Sequence, residues 1–338
     1  LIKKVRNTTI KEIAREAGVS IATVSMILNK KDVKISEATK NKVLTIANEL
    51  NYIPNTMARS LVTRRTKTIG LIMPDITNPF FPEIARGAED RASKEGYSII
   101  YCNTDDSIAR EEKYIETLTE KMVDGIVLAH SSDREGDNAG LVSCRVPIVL
   151  IDRDYDIPNV AGKVLVNNKS GSVKAVEFLF EKGYKNIVYI AGPMNTRTAK
   201  ERLEGYKKAI IHKGIEFNER LIKIGDYKSK WGETATREFL DEGVLFDAIY
   251  CGNDLIAIGA IKTLKAAGLR VPQDVGVIGF DDIYMASMVD PELTTIKQPN
   301  YEMGYRATEL LISAIEQKEK QKPEKILLET KLIVRKST

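Results

Sequence analysis

Residues 9–31 read TIKEIAREAGVSIATVSMILNKK, and the order of residue types in that run decides the N-terminal fold. Thr9-x-x-Glu12 is a capping-box pattern, in which a hydroxyl and a carboxylate satisfy each other's backbone N–H at a helix start. Ile10, Ile13, Ala14 and Ala17 follow on one helical face. Gly18 can take the left-handed conformation that ends a helix, and Ser20 can cap the next, which carries Val24 and Ile27-Leu28. Two short helices joined by a Gly-containing turn make a helix-turn-helix. Ser36 opens a third helix with Val43, Ile46, Ala47 and Leu50 as its apolar stripe. The spacing predicts an all-α unit over residues 8–53.

Beyond Pro54 the segment 54–67 reads as a short hinge helix and a polar, basic linker ending TRRTK. From Ile69 the period changes. Strand-like runs IGLIM, YSIIYC, GIVLA, PIVLI, VLV, NIVYI, LIKI, DAIYC and VGVIGF alternate with amphipathic helical stretches. That alternation predicts parallel sheets covered on both faces by helices. About 270 residues of it suit two doubly wound lobes better than one. The fold class is therefore α/β, an N-terminal helix-turn-helix followed by a bilobal body over 68–338. The first lobe is expected over about 68–160 and 298–322, the second over about 161–297 and 323–338.

The net charge of +4 hides an asymmetry. Residues 1–67 hold 14 Lys and Arg against 5 Asp and Glu, a balance of +9, which leaves −5 on the rest. A basic head on an acidic body suits a polyanion partner for the head. No apolar run is long enough for a membrane span, and no signal-peptide pattern is present, so a cytoplasmic location is expected. Cys102, Cys144 and Cys251 are few and scattered, Cys102 and Cys251 within or beside apolar runs. They read as free thiols rather than a disulfide framework, and neither metal nor cofactor is expected. Phosphate-binding, dinucleotide, nucleophile-elbow and zincin motifs are all missing, which argues against an enzyme.

In a helix-turn-helix the second helix lies in the major groove, its N-terminal residues at base edges. Here those are Ile21 and Ala22, with Met26 one turn on. Thr9, Ser20, Thr23, Ser25 and Asn29 offer hydroxyl or amide groups to phosphates. A helical module that binds protein is the alternative.

The run from Thr9 to Lys31, with NYIPNTMARSLVTRRTKTIGLIMPDITNPFF, GLRVPQDVGVIGFDD and LTTIKQP, resembles the lac repressor family of transcription factors along nearly the whole chain. The resemblance implies a periplasmic-binding-protein-like body of type I, a homodimer, a double-stranded operator and a small-molecule effector. It departs from the family at Met26, where Arg or His is frequent. Met26 cannot donate to a base, and Ile21 with Ala22 offers only apolar contact, for example to thymine methyls. The segment from Tyr52 through Leu61 resembles the family's hinge helix, which implies minor-groove contact by Tyr52, Asn55, Ala58 and Arg59 and an intercalating wedge at Leu61. Some relatives also engage a phosphocarrier protein, a partner the sequence leaves open.

Asn78, Phe80, Phe81, Asp152, Arg153, Arg202, Tyr227, Asn253, Asp281 and Gln298 fall at strand ends or just beyond, where an α/β sheet places its ligands. Together they resemble the pocket of periplasmic ribose-binding proteins. Aromatic rings cover the C–H faces of a pentose, while carboxylates, guanidinium groups and amides meet its hydroxyls. A sugar effector, best ribose, is expected; a purine-type corepressor ranks second. A transport receptor would share the cleft but needs neither the head nor a cytoplasmic address.

Overall fold

Each sequence signal for a helix end in the head acts as such in the computed structural model, which describes residues 8–29, 34–52, 65–132, 141, 144–155, 160–316 and 322–338. Helix α1 (Ile10–Ala17) starts with a complete Thr9/Glu12 capping box and ends at Gly18 with φ of 69°. Helix α2 (Ile21–Leu28) is capped by Ser20, and α3 (Glu37–Glu49) by Ser36. Ile13, Ala14, Ala17, Val24, Ile27, Val43 and Ala47 form the core of this unit. Leu50, expected in the apolar stripe, is instead 37 % exposed, because α3 ends one residue before it and the chain turns at Asn51 with positive φ.

Residues up to Thr66 form one compact unit and Lys67–Thr338 another. In the second unit the first sheet has the order β11-β5-β4-β3-β1-β2, all parallel. Its strands are β1 (Thr68–Met73), β2 (Ser98–Asn103), β3 (Gly125–Leu128), β4 (Ile148–Ile151), β5 (Val160–Val166) and β11 (Glu324–Leu328). Helices α4 (Phe80–Lys94), α5 (Ile108–Glu120) and α10 (Asn300–Glu316) cover it. The second sheet, β12-β10-β9-β8-β6-β7, contains β6 (Ile187–Ala191), β7 (Ile222–Ile224), β8 (Ala248–Cys251), β9 (Gly276–Asp281), β10 (Thr294–Lys297) and β12 (Lys331–Ile333). It is parallel except for β12 against β10. Helices α6 (Asn168–Glu181), α7 (Arg197–His212), α8 (Ser229–Asp241) and α9 (Asp254–Ala266) flank it.

Two of the expected lobe boundaries are corrected. β5 pairs with β4 and β11 in the first sheet, so the first crossing follows Val166 rather than residue 160. β11 belongs to the first lobe as well, and the last crossing follows Leu328 rather than residue 322. β11 is an edge strand with alternating exposure, and its Glu324-Lys325 start carries no apolar signal for a sheet. The return crossing lies between Lys297 and Asn300.

Candidate ligand pocket and DNA-reading helix

All ten pocket candidates line one cavity between the lobes, together with Thr198. Parallel topology explains the convergence, since every one of these residues follows the carboxyl end of a strand. Asn78, Phe80 and Phe81 lie at the start of α4, and Asp152-Arg153 directly after β4. Tyr227 follows β7, Asn253 caps α9 after β8, Asp281 ends β9, and Gln298 follows β10. Thr198 and Arg202 are one turn apart on α7, so they share a face. That spacing is the signal by which Thr198 could have been found; in the sequence it reads as one more polar residue at a helix start.

Phe80 and Phe81 meet edge to face at 5.0 Å between centroids. Both are also members of the first lobe's apolar core, so the structural and the ligand-facing readings of these rings hold together. Arg202 is buried and held from three sides. Its Nε donates to Asn168 Oδ1 at 2.9 Å, its Nη1 to Gly252 O at 2.6 Å, and its guanidinium lies 3.8 Å from the Phe280 ring centroid. Nη2 is 3.5 Å from Asp281 Oδ1, which also accepts from Gln298 Nε2 at 2.7 Å. Some of the polar atoms expected to meet a ligand are already engaged. Asn253 Oδ1 accepts the Ile256 N–H as a helix cap and its Nδ2 donates to Tyr227 O, while Asn78 Oδ1 accepts the Phe80 N–H. Three buried atoms of these pocket residues make no hydrogen bond among the described residues: Arg153 Nε, Tyr227 Oη and Gln298 Oε1. Buried polar atoms are nearly always satisfied, so this group is what a polar ligand would complete.

Burial pushes the Asp281 carboxyl up to about 7, against the opposing pull of Arg202 and Gln298. Burial also raises Asp152, opposed by Arg153 and Arg202. Arg202, despite a desolvation that works against its charge, is raised by Tyr227 and Asp281. The two pocket carboxylates share a backbone peculiarity: φ is 65° at Asp152 and 119° at Asp281, in the left-handed half of conformational space that L-residues other than Asn and Asp rarely enter. Asp282 and Asp254, each next to a pocket residue, are engaged within the fold. Asp282 binds Arg335 at 2.6 Å, and Asp254 accepts from Thr295 Oγ1 and the Ile283 N–H.

In the head, α2 buries Val24 and Ile27 and turns Ile21 and Ala22 outward, Ile21 being 46 % exposed. Met26 is half-buried. The small polar residues first serve the fold. Thr9 Oγ1 accepts from Glu12 N, Ser20 Oγ from Thr23 N, and Asn29 Nδ2 donates to Ser25 O at 2.7 Å. Ser20 and Thr23 hydroxyls lie 2.9 Å apart, so one hydrogen is used between them and the other is left to donate. Tyr52 packs on the core of the head. Asn55, Ala58, Arg59 and Leu61 lie outside the described residues. Among the described residues no helix is long and apolar enough to cross a membrane, and no group of His, Cys, Asp and Glu could hold a metal ion.

Comparison with known proteins gives two family matches. Residues 9–55 match "Bacterial regulatory proteins, lacI family", and residues 66–336 match "Periplasmic binding proteins and sugar binding domain of LacI family". The chain is 43 % identical over 333 residues to the HTH-type transcriptional regulator RegA of Clostridium saccharobutylicum, covering 98 % of this chain and 99 % of the relative. It is 39 % identical over 333 residues to a ribose operon repressor of Halalkalibacterium halodurans, covering 98 % and 97 %. A crystal structure of the lac repressor dimer bound to operator and the anti-inducer ONPF is similar with a TM-score of 0.88, at 28 % identity over 98 % of this chain and 99 % of that one. With both units of the chain matched in order, it belongs to the lacI family of bacterial regulatory proteins, DNA-binding transcriptional regulators with a periplasmic-binding-protein-like sugar-binding domain.

Proposed function

We propose that this regulator is a homodimeric repressor in the cytoplasm whose hold on its operator is released by a pentose, best D-ribose, bound in the cleft between the lobes. The observation that carries the reading is the small, charged and partly aromatic cavity with three buried polar atoms left without hydrogen bonds. Phe80, Phe81 and Tyr227 offer faces to the C–H side of a sugar ring. Asp152 and Asp281 accept from hydroxyls; Arg153 and Arg202 donate, and Gln298 Oε1 accepts. The name of the ribose operon repressor relative supports the same class of ligand.

On the head, Ile21 and Ala22 face bases while Ser20, Thr23 and neighbouring amides meet phosphates. Two heads in a dimer would read half-sites about 34–36 Å apart. Sugar occupancy closes the lobes and weakens operator binding, with couplings of this kind typically about 1–3 kcal/mol.

Calorimetric titration with D-ribose, arabinose, glucose, fructose and hypoxanthine, paired with operator affinity in the presence and absence of each, tests the proposal. Tightest binding by ribose, with weaker operator binding in its presence, is expected. Silence with ribose and clear heat with hypoxanthine would replace the sugar by a purine corepressor, and tighter operator binding in sugar would reverse the sign.

A further inference from the structure

We propose that Glu111 is the positioning residue that aims Arg153 into the pocket, acting through the peptide between His130 and Ser131. This rests on reading the cavity as a sugar site. Glu111 lies in the first turn of α5, fully buried, and is not part of the pocket wall. Arg110 and Lys113 on either side of it are exposed, so this one carboxylate of a charged run has been turned inward. A carboxylate inside a protein is costly unless it has partners, which makes the groups that face it informative.

Glu111 Oε2 accepts the Ser131 N–H at 2.6 Å. That N–H and the His130 carbonyl belong to one planar trans peptide and point in opposite directions. Gripping the N–H from α5 therefore drives the His130 carbonyl out of the other side, toward Arg153. Ser131 is fixed a second time by its hydroxyl, 2.8 Å from Thr104 Oγ1, and Thr104 is itself bonded through its N–H to Met73 O at the end of β1. Arg153 Nη1 then donates to His130 O at 3.1 Å, to Ser131 O, and to Asp106 Oδ1 at 2.8 Å. Three acceptors converge on one nitrogen of the guanidinium. Nε is left buried with no hydrogen bond, 3.8 Å from Asp152 Oδ2. The planar fork of an arginine has one orientation once a terminal nitrogen is pinned, so Glu111 sets the direction in which Arg153 presents its remaining donors.

The test is a double-mutant cycle on D-ribose affinity by calorimetry, using Glu111→Leu, Glu111→Gln, Arg153→Met and the double variants. Glu111→Leu should weaken ribose about 10-fold, and Glu111→Gln, which keeps an acceptor for the Ser131 N–H, should stay within about 2-fold of the parent. In the Arg153→Met background Glu111→Leu should have no further effect; full additivity there overturns the inference. Crystal structures of the ligand-free parent and Glu111→Leu give a readout that does not need ribose. Arg153 should leave the Ser131 and His130 carbonyls, and a guanidinium that stays put overturns the inference whether or not ribose binds. A parent protein that gives no heat with ribose fails the sugar reading alone. If Glu111→Leu does not fold, Glu111→Met, which also removes the acceptor for the Ser131 N–H, takes its place with the same expected outcomes.

Discussion

Arg197 on the second lobe and Asp154 on the first meet across the cleft, with Nη1 3.3 Å from Oδ2. Asp154 is almost fully buried and is also held by Lys163 at 2.6 Å and Lys325 at 3.2 Å, so it is a fixed anchor on the first lobe. Arg197 is the first residue of α7, the helix that carries Thr198 and Arg202 into the pocket. Pocket-lining side chains and the grip between lobes therefore lie within two turns of one helix. Arg197→Gln should leave operator affinity without sugar unchanged and reduce the effect of ribose upon it about 3- to 10-fold, measured by fluorescence anisotropy. An undiminished ribose effect would remove this bridge from the coupling.

Proton balance at Asp281 gives the second expectation. Its carboxyl, raised to about 7 by burial, keeps its proton in the folded protein between the ordinary carboxylate range and neutrality, where the unfolded chain has lost it. Its contribution to the stability of the unliganded protein is then present below about pH 4 and lost as pH rises through 7. Sugar hydroxyls that donate to the carboxylate favour the ionised form, so ribose should bind about 3- to 10-fold more weakly at pH 6 than at pH 8. Calorimetry at pH 7 in buffers of different ionisation enthalpy should register proton release on binding. Asp281→Asn should flatten the profile.

Arg202→Ala and Asp281→Ala each remove one member of the buried pair and leave the other exposed to the full cost of its charge. Ribose binding should fall by about 100-fold or more in either variant while operator binding is retained. Loss of both activities together, with a lowered melting temperature, would mean that the body has unfolded.

Ile21 is half-exposed at the tip of α2 and contributes little to the core of the head. Ile21→Ala should weaken operator binding by about 1 kcal/mol through lost apolar contact with a base. The melting temperature and the slope of affinity against salt should not change, because no phosphate contact is removed. A reduced salt slope would place Ile21 near the backbone of the duplex instead.

The single tryptophan, Trp231, donates from Nε1 to Ala191 O at 3.0 Å and lies against Gly225, four residues beyond the pocket residue Tyr227. Ribose titration should shift its emission with the same midpoint that calorimetry gives.

Much of this molecule is legible in the residues because local chemistry and final structure agree. Thr9, Glu12, Gly18, Ser20 and Ser36 act at helix ends as their side chains dictate. The ten pocket residues share a cavity because parallel strands deliver their carboxyl ends to one edge. What escapes is set by long-range neighbours. Glu111 sits in a charged run that reads as solvated surface, yet in the fold it is buried and accepts from Ser131, 20 residues away. Thr198 is defined by what lies across the cleft. β11 is a half-exposed edge whose partner, β5, is about 160 residues distant in the chain, so neither its apolar content nor its period reveals its lobe.

The positive φ at Asp152 and Asp281 has a consequence for descent. Gly takes a positive φ freely, Asn and Asp enter that half of the map more often than other residues, and nearly everything else resists it. Relatives that keep this chain path can therefore trade an acceptor for an amide, or delete the side chain, but can seldom install a ring or a branched residue there. Changes of effector in this lineage should accumulate at the helix-borne wall positions, leaving these two turns as the slowest part of the pocket to diversify.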